Sequence, residues 1–135
     1  MTPQEIEYNK RCADFLGAEY DPRTKRYIFD KELLDSKYAL RKSKRHHEEQ
    51  MCFHSDWNWI IEVIEAIENI KVKEQYIYYI QLRGATCEIK CSNQYSLAFN
   101  VEMPCIYEIA KSKKEAVIQA INKFLIWYNN EKSNK

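Results

Sequence analysis

Residues 75–91 read QYIYYIQLRGATCEIKC, and their pattern decides the fold. The first ten are rich in β-branched and aromatic side chains and end at Gly84. From Ala85 the chain alternates, with Ala85, Cys87, Ile89 and Cys91 on one face and Thr86, Glu88 and Lys90 on the other. A period of two is the mark of a strand buried on one side. Two such runs meeting at a glycine predict a hairpin. Ser92-Asn93 supplies a turn, after which YSLAFNVEM (residues 95–103) alternates again. Tyr95, Leu97, Phe99, Val101 and Met103 face inward there, and Ser96, Asn100 and Glu102 outward. The short spacing predicts an antiparallel three-stranded meander, and its polar outer positions expose much of one face to water.

Helices flank this meander. FHSDWNWIIEVIEAI (residues 53–67) starts at Ser55, a helix-capping residue, with Asp56 in the first turn. At 100° per residue Trp57, Ile60, Ile61, Ile64 and Ile67 share a side, and Trp59, Val63 and Ile70 an adjoining one. Asn58, Glu62, Glu65 and Asn69 fill the remaining polar arc, so Glu62 and Glu65 read as a solvated pair. The two tryptophans point about 200° apart, which makes them two packing residues and not a stacked pair. After the meander, SKKE (residues 112–115) forms a capping box. The broad apolar face behind it runs from Ala116 to Tyr128. At the other end, Thr2, Pro3 and Glu5 have the chemistry of a first capping box, for a helix stopping at Gly17. Asp21-Pro22 then turns a small hairpin.

The expected fold is α+β. An antiparallel three-stranded meander packs against two long helices, with an N-terminal helix and a small hairpin, as an α/β sandwich in a single domain, 1–135. Residues 35–50 form a variable basic segment, read as a solvated helix or loop. Six of the seven residues from Arg41 to His47 are basic types, which makes this the strongest local positive field.

Overall charge points to no partner class, because 21 Lys and Arg nearly balance 20 Asp and Glu. No apolar run approaches the roughly 20 residues needed to span a bilayer. The opening MTPQEIEYNK has no signal-peptide core. The expected location is the cytoplasm, without membrane attachment. Five cysteines, Cys12, Cys52, Cys87, Cys91 and Cys105, form no CxxC pair and read as reduced, mostly buried hydrophobes. Cys87 and Cys91, four apart on one strand face, stand about 13 Å from each other, too far for a disulfide. Cys52, His54 and Asp56, with His46 and His47, are metal-ligand types without zinc-site spacing. No glycine-rich phosphate loop, GxSxG or HExxH occurs. The expectation is therefore no metal, no cofactor and no catalytic residue.

Three blocks together carry a resemblance: ADFLGAEYD (13–21), FHSDWNWIIEVIEAIE (53–68) and SKKEAVIQAINKFLIWYN (112–129). They resemble small uncharacterised phage and prophage proteins of Bacteroidetes, of the kind with a phage ABA sandwich domain. Ala18 stands where that pattern has a tryptophan. The resemblance implies helix, sheet and helix layers, and brings no catalytic residues. A second likeness is to double-stranded-RNA-binding domains. Lys113, Lys114 and Ala116 match the opening of their KKxAK pattern, Val117 replaces the last lysine, and RGAT (83–86) stands in place of the GPxH-type loop. Two function classes follow as expectations. One is a phage- or prophage-derived protein that binds a protein partner or itself. The other is a nucleic-acid-binding accessory protein. The candidate partner-binding or nucleic-acid-binding residues are Arg41, Lys42, Lys44, Arg45, Lys113 and Lys114.

Overall fold

The computed structural model describes residues 1–29, 45–70, 76–93 and 105–133. In chain order the elements are α1 (Pro3–Phe15), β1 (Glu19–Asp21), β2 (Arg26–Ile28), β3 (Arg45–His47), α2 (Trp57–Glu68), β4 (Tyr76–Arg83), β5 (Thr86–Asn93), β6 (Ile106–Ile109) and α3 (Lys113–Ser133). The fold is mixed α/β, with two three-stranded antiparallel sheets ordered β1-β2-β3 and β4-β5-β6. The chain divides into two compact units, Met1–Val63 and Ile64–Lys135, with the boundary in sequence falling within α2.

In the first unit α1 begins with the expected capping box. Thr2 Oγ1 accepts from the Glu5 backbone N–H at 3.1 Å, and Glu5 Oε1 accepts from the Thr2 N–H at 2.8 Å. The helix ends in a Schellman arrangement. The Ala18 N–H donates to the Ala13 carbonyl and the Gly17 N–H to the Asp14 carbonyl, with Gly17 at φ 84°. Its buried side is Tyr8, Asn9, Cys12 and Ala13, joined by Leu16 beyond its last turn. Asp21 closes the β1–β2 turn by accepting from the Arg23 N–H at 3.0 Å.

The hairpin carries a third strand. Residues 45–47 belong to the segment read as a solvated helix or loop, but Arg45, His46 and His47 pair with Ile28, Tyr27 and Arg26. The correction has a packing cause. The His46 ring lies edge-on to Phe29 and to Trp59, with centroids 5.7 and 5.0 Å away, so it serves an aromatic cluster. Phe53 completes that cluster, 4.8 Å from Trp59.

Helix α2 is capped by Asp56 and not by Ser55. The Asp56 carbonyl accepts from Ile60 and its Oδ1 accepts from the Asn58 N–H at 2.9 Å, the two bonds that define an N-cap. Trp59, Ile60, Val63 and Ile67 form its buried stripe, while Trp57 is half-buried. Glu62 is buried beside that stripe, which corrects its place in the expected solvated pair.

The second unit contains the hairpin half of the expected meander, but Ser92 and Asn93, expected as a turn, extend β5 and pair with Ile77 and Tyr76. Strands β4 and β5 pair from Tyr76↔Asn93 to Arg83↔Thr86. The turn between them is Gly84-Ala85, with Gly84 at φ 57°. A positive φ at the first turn residue alone fits a type II′ turn, which follows the sheet's own twist. The expected third strand at 95–103 lies outside the described residues. The third strand of the described sheet is β6, pairing Ile106 with Ile89 and Ile109 with Thr86. Helix α3 packs on this sheet. It buries Ala116, Val117, Ala120, Ile121, Phe124 and Leu125, and the facing strands bury Tyr78, Cys87, Ile89, Cys91 and Ile106. The larger apolar side chains here each contribute about 1.5–3 kcal/mol by leaving water. The Tyr78 ring meets Phe124 edge-on at 5.2 Å. Among the described residues no helix is long and apolar enough to cross a membrane.

Candidate functional site

The hydrogen-bond parity of β6 determines which of its groups face the sheet and which leave it. The Ala110 N–H donates to the Ala85 carbonyl at 3.1 Å. Antiparallel pairs alternate between bonded and non-bonded, so Glu108 opposite Cys87 and Ile106 opposite Ile89 are the bonded pairs. The N–H and C=O groups of Tyr107 and Ile109 therefore point off the edge, where no described strand pairs with them. Their side chains leave the face opposite α3, because Ile106 is buried and Glu108 bonds Lys123 of α3 at 2.9 Å. Tyr107 is 52 % exposed and Ile109 69 %. Cys105, just before the strand, is also exposed. The result is an apolar row, Cys105, Tyr107 and Ile109, beside a backbone edge that no described strand pairs.

The neighbouring strand surface is polar and internally satisfied. Lys90 Nζ lies 2.9 Å from Glu88 Oε1 and 5.2 Å from the centre of the Tyr79 ring. The Glu88 hydrogen bond, followed by that of Tyr79, holds the Lys90 ammonium above its ordinary value. Burial, and then the charge of Glu88, pushes the Cys105 thiol up as well.

The sequence-predicted residues fall in three places. Arg41, Lys42 and Lys44 lie outside the described residues. Arg45 is exposed on β3, in the first unit. Lys113 and Lys114 open α3, in the second unit, with Lys113 exposed and Lys114 half-buried. Ser112 caps that helix, its Oγ accepting from the Glu115 N–H at 3.1 Å.

Cys52, His54 and Asp56 each have a separate structural task. Cys52 donates to the Gln50 carbonyl at 3.5 Å, and Asp56 caps α2. The Asn9 side-chain amide donates to the Met51 carbonyl at 3.0 Å, which fixes its NH2 end. The same NH2 lies 3.0 Å from His54 Nδ1, so that nitrogen is the acceptor and the ring proton sits on Nε2, 3.8 Å from Glu5 Oε2. His54 thus ties the loop before α2 to α1. Among the described residues no group of three or more His, Cys, Asp or Glu side chains is placed to hold a metal ion.

The β6 row is not among the strands expected from the sequence, which end at Met103. IYEI (106–109) shows no clean apolar–polar alternation, because its outward positions are Tyr107 and Ile109. Comparison with protein-family models, with curated proteins and with solved structures finds no match for the chain.

Proposed function

We propose that this is a phage- or prophage-derived cytoplasmic protein that acts by binding another protein, not by catalysis. One observation supports the reading: Tyr107 and Ile109 stand exposed on a strand whose outward backbone groups no described strand pairs. Exposed edges of this kind are normally blunted with charge or proline, and a partner strand satisfies them. The three-block resemblance to phage proteins supports a phage or host partner. It also brings the expectation of a second long helix against the same sheet, in a sandwich.

The test is affinity purification from cells carrying the phage, comparing the parent chain with a Tyr107→Lys, Ile109→Lys double variant. The proposal requires a protein that co-purifies with the parent and is lost from a variant of unchanged melting temperature. Equal recovery by both chains contradicts it.

A second reading rests on Lys113 and Lys114 at the N-terminus of α3, the first exposed and the second half-buried. A helix N-terminus flanked by lysines suits phosphate, as in the double-stranded-RNA-binding domains that this helix resembles. Retention of duplex RNA falling steeply with salt, and abolished by Lys113→Glu with Lys114→Glu, favours that reading.

A further inference from the structure

We propose that the partner seated on β6 is a second copy of this chain, paired antiparallel through the same edge about a two-fold axis at Tyr107. This rests on the protein-binding reading and names its occupant. Three features of the strand select that occupant and that register. Parity comes first. Tyr107 and Ile109, and Cys105 by the same parity, offer outward backbone groups, so a pairing must set outward residues opposite outward residues. Charge comes next. A pairing centred on Glu108 sets two carboxylates face to face in the close, non-bonded position, where like charges oppose pairing. A pairing centred on Tyr107 instead sets Glu108 opposite Ile106 of the second copy, and Glu108 keeps its 2.9 Å bond to Lys123. Apolar matching comes last. With Tyr107 opposite Tyr107, Ile109 falls opposite Cys105 twice, so every exposed apolar side chain of the row meets another.

The joined sheets form six continuous strands with an α3 helix on each half. The seam runs over residues 105–109, five per copy, which makes a weak dimer governed by concentration.

Two measurements test this on the full chain. Light scattering across a concentration series should show the mass rising from one chain to two, and Ile109→Lys should hold it at one. Cysteine variants then read the register. In a Cys105→Ser background, Tyr107→Cys should cross-link to a dimer on diamide oxidation, because the two positions face each other. Ile109→Cys and Glu108→Cys in that background should not. A parent that stays monomeric at every concentration overturns the second copy as occupant. The protein-binding reading survives that result if the Tyr107→Lys, Ile109→Lys variant still loses its co-purified partner. Cross-linking through Ile109→Cys or Glu108→Cys in place of Tyr107→Cys overturns the register.

Discussion

Trp59 and Trp57 differ by two positions in sequence and by their whole environment in space. Trp59 is 6 % exposed, with Phe53 and His46 edge-on at 4.8 and 5.0 Å, whereas Trp57 is half-buried. Trp59→Ala should cost about 3–5 kcal/mol of unfolding free energy, as full-size aromatic deletions in cores do. Trp57→Ala should cost clearly less, and urea midpoints of the two variants check the order. Equal losses would mean that the aromatic cluster adds nothing to burial. The cysteines divide just as sharply. Burial raises Cys12, and it pushes Cys87 up to about 12, with Glu108 and then Glu88 adding to the shift. Ellman's reagent on the dilute native protein should label Cys105 first and Cys52 next, leaving Cys12, Cys87 and Cys91 for the unfolded chain. A buried thiol reacting as fast as Cys105 would refute the packing described for its element.

Among elements, α1 makes the clearest claim. Its capping box ties Thr2 and Glu5 in both directions, so Thr2→Ala should cost about 1 kcal/mol. The backbone N–H of Thr2, and next its side chain, hold the Glu5 carboxyl below the ordinary glutamate value. A carboxyl whose folded value is lowered stabilises the fold above its ordinary value. That contribution is lost as the pH falls through the folded value. Glu5→Gln should therefore flatten the acid limb of a stability–pH curve measured by urea denaturation. An unchanged acid limb would show that the bond has no energetic weight. The box was fully legible in TPQE, because capping depends on residues three apart. Strand β3 was not legible. RHH has no alternating apolar pattern, and its strand state comes from pairing with Tyr27 and from the aromatic neighbours of His46, both distant in sequence. Glu62 was misplaced for a related reason, since a helical wheel gives angles but not how far a core wraps round them.

For the molecule as a whole, the sequence made the mixed α/β class legible through the alternation at Ala85–Cys91 and the cap at Ser112, both local signals. The candidate site was not legible, because an edge strand is defined by what does not pair with it. Tyr107 and Ile109 acquire meaning only from the bonded parity of β5 and β6. The central claim, that this edge binds another polypeptide, meets its most direct test in amide hydrogen exchange followed by NMR along β6. In dilute protein the Ile106 and Glu108 amides, bonded to β5, should exchange slowly, and the Tyr107 and Ile109 amides quickly. As partner is added, or the chain itself concentrated, protection should appear at Tyr107 and Ile109 specifically. Fast exchange at both amides in the presence of a saturating co-purified partner and at high chain concentration would contradict the account.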